Sequence, residues 1–200
     1  SPTYGSALEL VKENGFTLDA RLRRYFLRGK HQTLTFLATH WTELEASHRA
    51  RFTDNFQQRI GKSLRRAAPQ VEAVEGRGGA FELEVRLEAP GVDPAEVDRA
   101  LARGQTYVDA PGGPVLLEAG GLSQLHELQR RLGGQPDVPL LARNRRKVSA
   151  AELAATEEAL AELAPGFEPP EAWKRRSGAL RERDRLPAPP LGEPLAGLLR

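Results

Sequence analysis

From Thr17 onward the apolar positions recur at helical spacing. Thr17 is placed to cap a helix to about Arg28, with Leu18, Leu22, Tyr25 and Phe26 on one face and Gly29 as its stop. Leu34, Leu37, Trp41 and Leu44 recur at intervals of three and four and predict a second helix over about His31 to Ser47. Phe52, Phe56, Ile60 and Leu64, each four apart, predict a third. Short amphipathic helices must share their apolar faces, so residues 1–67 read as a helical module.

At Pro69 the period falls to two. Phe81, Leu83, Val85 and Leu87 alternate with Glu82, Glu84, Arg86 and Glu88, the pattern of a strand with one wet face. Val71 to Glu75 can pair with it across Gly76-Arg77-Gly78-Gly79. Asp93-Pro94-Ala95-Glu96 opens a helix with a capping Asp, an initial proline and an acidic third position, and Gly104 ends it. Thr106-Tyr107-Val108 and Val115-Leu116-Leu117 flank a proline- and glycine-rich turn and predict a hairpin. Ser123 is the expected start of the next helix, with Leu125, Leu128 and Leu132 inward, and Val138 to Ala142 the next short strand. Ser149 and Glu152 form a capping-box pattern ahead of Leu153, Leu160 and Leu163, and Pro165-Gly166 breaks that helix. Glu171 to Arg185 reads as a charged helix, followed by a stiff proline-rich stretch.

The expected fold class is therefore α+β. Residues 1–67 form the helical module, 68–148 a small mixed α/β module with short antiparallel strands, and 149–186 a helical connector. Residues 187–200 form a linker into a further domain. The absence of methionine, even at position 1, fits a piece of a longer product.

Charge changes this picture more than composition does. The net formal charge is only +2, but residues 14–66 carry eleven Lys and Arg against four Asp and Glu. Residues 67–129 carry four against eleven, and residues 130–147 six against one. Basic and acidic blocks in succession either attract each other or leave the basic one for a polyanion. Exposed ion pairs are worth about 0–1 kcal/mol each, so charge cannot lock the blocks together. Apolar residues such as Trp41, Phe52 or Phe56 are expected to cross the joint.

Candidate chemistry is sparse. There is no cysteine, hence no disulfide, thiol nucleophile or thiolate metal site. Gly61-Lys62-Ser63 ends like a phosphate-binding loop, but the glycine needed five residues before Gly61 is Phe56. His31, His40, His48 and His126 show no metal-ligand spacing. No Ser lies in a nucleophile-elbow setting, and no acidic pair has the context of a general acid and base. Neither a catalytic centre nor a metal or cofactor site is expected. Arg143, Arg145, Arg146 and Lys147 form the densest cationic run, expected as an exposed loop that contacts nucleic-acid phosphates, with Lys62, Arg65 and Arg66 in support. Arg21, Arg23, Arg24 and Arg28 add a second cluster.

One stretch carries a family likeness. Phe81-Glu82-Leu83-Glu84-Val85, Val92-Asp93-Pro94-Ala95-Glu96-Val97, Arg99 to Gly104, Tyr107-Val108 and the Gly112-Gly113 turn before Val115-Leu116-Leu117 follow one another. That succession resembles the helicase-associated region that precedes the motor of bacterial Swi/Snf-type ATPases. Leu198-Leu199-Arg200 resembles the opening of such a motor. The resemblance implies an accessory region of a DNA-dependent translocase, without the motor's catalytic residues. It implies the motor domain of the same protein and nucleic acid as partners, and a bacterial cytoplasmic setting, nucleoid-associated when DNA-bound. The alternative is a protein–protein scaffold that touches no nucleic acid. No membrane partner is expected.

Overall fold

The computed structural model describes residues 2–48, 50–51, 53–133 and 139–185. The architecture is α+β. The larger sheet has the order β4 (Ala68–Glu75), β5 (Phe81–Glu88), β8 (Arg143–Val148), with both pairings antiparallel. The smaller sheet has the order β3 (Arg65–Arg66), β7 (Gly113–Leu116), β6 (Tyr107–Ala110). β3 runs parallel to β7, and β6 antiparallel to it. β1 (Thr17–Asp19) and β2 (Arg24–Phe26) form a separate hairpin.

β5 takes the centre of the larger sheet because its alternation suits a surface with one buried side. Phe81, Leu83, Val85 and Leu87 are all between 0 and 6% exposed, whereas Glu82 and Glu88 face water. Onto this face pack α4 (Pro94–Ala102), α5 (Ala119–Gly133), α6 (Leu153–Leu163) and α7 (Glu171–Arg185). They bring Val97 and Ala100, then Leu125, Leu128 and Leu132, then Leu153 and Leu160, and finally Trp173. Trp173 is completely buried, 5.0 Å from Phe81 and 6.0 Å from Phe167 between ring centroids. Local signals set the helix starts. Asp93 accepts the Ala95 N–H at 2.8 Å, and the Ser149–Glu152 capping box forms as its sequence predicts.

A second core joins the N-terminal part to the small sheet. Leu34, Leu37 and Ala38 of α2 (Lys30–Ala46) pack with Leu116 of β7, bordered by Trp41, Phe56, Leu64 and Tyr107. Ala67 is 5% exposed and its N–H donates to Leu116 O at 2.9 Å. Residues 1–67 and 68–148 therefore share apolar packing across their boundary. Of the residues expected to cross it, Trp41 and Phe56 border this shared cluster, while Phe52 lies outside the described residues.

Several elements differ from the sequence expectation. The predicted helix over Thr17–Arg28 is the β1–β2 hairpin, because the Asp19 carboxylate accepts the N–H groups of Arg21 and Leu22, each at 3.0 Å. That side-chain turn competes with a helix, and Arg23 at φ 50° completes it. An N-terminal helix absent from the expectation, α1 (Pro2–Glu13), precedes it. The third predicted helix shrinks to α3 (Asp54–Phe56) and a π-turn through Gly61, and Arg65 then enters β3. α5 starts at Ala119 rather than Ser123, with Gly120 and Gly121 in its first turn. A Cβ on Gly120 would lie 2.9 Å from Thr42 Oγ1, so there the glycine permits close helix approach and not a stop. Residues 139–142 form no strand, and the strand comes one step later, at β8. Val138 and the proline-rich stretch lie outside the described residues. No helix among the described residues is long and apolar enough to cross a membrane.

Candidate nucleic-acid interface

The run Arg143-Asn144-Arg145-Arg146-Lys147, expected as an exposed loop, is the edge strand β8. Its register on β5 decides what its cations do. Lys147 stands opposite Glu82, Arg145 opposite Glu84, and Arg143 opposite Arg86. On the other side of β5, Glu72 stands opposite Glu84 and Gln70 opposite Arg86. Arg145 meets Glu84 straight across the ladder, whereas Arg143 and Arg86, like charges opposite one another, turn diagonally to carboxylates. Arg143 Nε donates to Glu84 at 2.9 Å and Arg145 Nε donates to Glu84 at 2.5 Å. Arg86 reaches Glu72 at 2.7 Å and Glu88 at 3.0 Å. Glu84 is the hub, its side chain 12% exposed. Burial opposes its ionisation, but the hydrogen bonds and charges of Arg145, Arg143 and Arg86 outweigh that cost and hold its carboxyl below the ordinary glutamate range. Glu72, Glu82, Glu84 and Glu88 balance Arg86, Arg143, Arg145 and Lys147, and this face is locally neutral.

The other candidate cations are dispersed. Arg146 turns to the opposite side of β8 and pairs with Glu152. Arg65 is an internal clamp and not an outward phosphate contact. Its guanidinium donates to Pro90 O at 2.8 Å, Pro111 O at 2.8 Å and Gly113 O at 2.9 Å. Arg66 lies 4.9 Å above the Trp41 ring and 3.3 Å from Glu118. Burial raises the Glu118 carboxyl above the usual range despite the opposing pull of Arg66. Lys62 and Lys147 are exposed. Thus β8 gathers Arg143, Arg145 and Lys147 on one face, whereas Lys62, Arg65 and Arg66 belong to the segment entering the other sheet.

The β1–β2 hairpin behaves differently. Arg21, Arg23 and Arg24 are exposed, and none has an ion-pair partner among the described residues. Leu18 and Leu22 beside them are 50% and 56% exposed. Arg28 lies 4.7 Å above the Phe26 ring. Phe16 anchors the hairpin's base against Phe36 of α2, ring centroids 4.9 Å apart. Reading the sequence found this arginine cluster but placed it on a helix. The overlooked signal was Asp19, set to cap a turn at residues 21 and 22.

The remaining motifs settle into structural roles. Gly61-Lys62-Ser63 ends the π-turn, and Ser63 Oγ donates to Ile60 O at 3.0 Å. His40 bridges Asn14, at 3.1 Å, and Glu43, at 3.3 Å, and so ties the end of α1 to α2. Among the described residues no group of three or more His, Asp or Glu is placed to hold a metal. Comparison with protein-family models, with curated proteins and with solved structures finds no match to this chain.

Proposed function

We propose that this chain is a non-catalytic accessory region that binds nucleic-acid phosphates through the β1–β2 hairpin and serves a motor of the bacterial Swi/Snf type. The binding half of this reading is carried by one observation: Arg21, Arg23 and Arg24 project from an exposed hairpin with no carboxylate partner among the described residues. Arginine forks match phosphate oxygens, and a two-stranded ribbon fits the major groove of duplex DNA. The motor half is supported by the resemblance of residues 80–148. Such a region acts by holding nucleic acid in place, through charge and shape.

Titration of a fluorescein-labelled 20-base-pair duplex with the full chain at several salt concentrations tests this. Three phosphate contacts give a slope of log affinity against log salt of about −2.7. A triple variant, Arg21→Glu with Arg23→Glu and Arg24→Glu, should lose at least about ten-fold in affinity, with the slope collapsing towards zero. Binding indifferent to salt, or unchanged in the triple variant, overturns the phosphate contact. DNA-stimulated phosphate release from ATP by this chain overturns the non-catalytic role.

A further inference from the structure

We infer that the free edge of β6 is a docking groove for an extended acidic peptide segment of a partner protein, which would add as a fourth strand in the order β3-β7-β6-peptide. Among the described residues no strand pairs with β6 on the side away from β7. A groove of about 540 Å³ runs along that edge, lined by Thr106 to Asp109, by His31 and Thr35 of α2, and by Arg99 and Arg103 of α4.

The phase of the β6–β7 ladder fixes which groups face the groove. Leu117 N–H donates to Thr106 O at 2.8 Å, so Thr106 faces β7. Antiparallel pairs alternate, so Val108 and Ala110 also turn their main-chain groups towards β7, while Tyr107 and Asp109 turn theirs away. The residue opposite Asp109 is Pro114, which has no N–H to give, as this phase requires. Two N–H and two C=O groups therefore point into the groove, the pattern that strand addition satisfies.

The helices supply selectivity. Val108 is buried towards α4, in the core that holds Val97 and Ala100, whereas Tyr107 borders the core built on α2. Side chains of an added strand would alternate likewise, one set meeting His31 and Thr35 and the other meeting α4. Arg99 and Arg103 are exposed there without a carboxylate partner among the described residues, and Arg99 is steadied by its Nε bond to Ala95 O at 3.2 Å. Carboxylates at alternate positions would meet them. Glu96, on the same helix, confines the acidic residues to the Arg99–Arg103 end. The Lys30–Asp109 ion pair at 2.7 Å and the Thr35–Thr106 hydroxyl contact at 2.9 Å hold α2 alongside the edge.

The test is a fluorescence titration of the full chain with a labelled eight-residue peptide of alternating Glu and Val, followed by amide chemical-shift mapping. Saturable binding is expected, with shifts concentrated at residues 106–109. A second peptide, N-methylated at alternate residues so that it cannot donate to the edge, leaves the protein untouched and should bind at least ten-fold more weakly. Arg99→Glu with Arg103→Glu should weaken the unmodified peptide by at least ten-fold and leave an alternating Lys and Val peptide no weaker than before. Absence of saturable binding, equal binding of the N-methylated peptide, or shifts confined to β8 or to the hairpin would each overturn the proposal. So would displacement of the peptide by a DNA duplex that binds residues 106–109. Failure here leaves the hairpin's salt slope untouched, so the two readings stand or fall separately.

Discussion

Two arginine clusters of this chain look alike as strings and differ as surfaces. In β8, Arg143 and Arg145 share one carboxylate, Glu84, within 2.5–2.9 Å. In the β1–β2 hairpin, Arg21, Arg23 and Arg24 have no such partner among the described residues, and the nearby acid, Asp19, is occupied with backbone N–H groups. Whether cations remain available to a polyanion depends on strand register more than on their density. A register that aligns a basic strand with an acidic one turns a charge run into sheet cohesion. A short hairpin whose one acid caps its own turn leaves its cations to solvent.

The comparison breaks most sharply in the β8 cluster. Arg143→Glu with Arg145→Glu places two new carboxylates beside a largely buried one and strips Glu84 of partners. We expect a loss of about 3–5 kcal/mol in urea unfolding, with duplex affinity of the folded fraction within about two-fold of wild type. The hairpin should give the converse. Its triple reversal should lower duplex affinity by at least ten-fold, about 1.4 kcal/mol, with unfolding free energy unchanged to within about 0.5 kcal/mol.

Glu84→Gln sharpens the contrast through pH. The neutral side chain should destabilise the protein by about 1–3 kcal/mol at pH 7, since it forfeits charge-assisted hydrogen bonds. Because the folded-state pKa of Glu84 is depressed, its contribution is present in full above the ordinary glutamate pKa and is lost as pH falls through the depressed value. The gap between variant and wild type should therefore close in acid. Glu118 should do the reverse, with the smallest effect. Its folded pKa is raised by burial, so its ionisation costs stability as pH rises through that value. Glu118→Gln should be neutral or up to about 1 kcal/mol stabilising at pH 7, with no gain in acid, measured by thermal unfolding across pH.

Legibility in the sequence followed how locally each element is determined. β5, the Asp93 cap, the β6–β7 hairpin and the Ser149 capping box were readable because alternation and caps act within a few residues. The β1–β2 segment was not, since Leu18 and Leu22 lie four apart as helix positions do and yet face water. β8 was hidden for another reason. Its cations suggest a solvated loop, and what makes them a strand is a glutamate strand about sixty residues earlier, with Arg145 hydrogen-bonded across 61 positions. The candidate site suffered most from this, because pairing is a long-range property. The start of α5, expected at Ser123, was misplaced for the same reason, since Gly120 and Gly121 face Thr42 and Pro69, distant in sequence.

The Arg65 guanidinium has a consequence for how the molecule comes together in time. Its carbonyl partners lie 25, 46 and 48 residues further along the chain, at Pro90, Pro111 and Gly113. None is a neighbour while the chain is still open, so the side chain cannot find them one by one at little entropic cost. The turn at Pro90, the β6–β7 hairpin and β3 have to arrive nearly together for the planar fork to be satisfied. Arg65 thus ties two distant turns, at Pro90 and between β6 and β7, to β3, and the three are expected to close, and open, together.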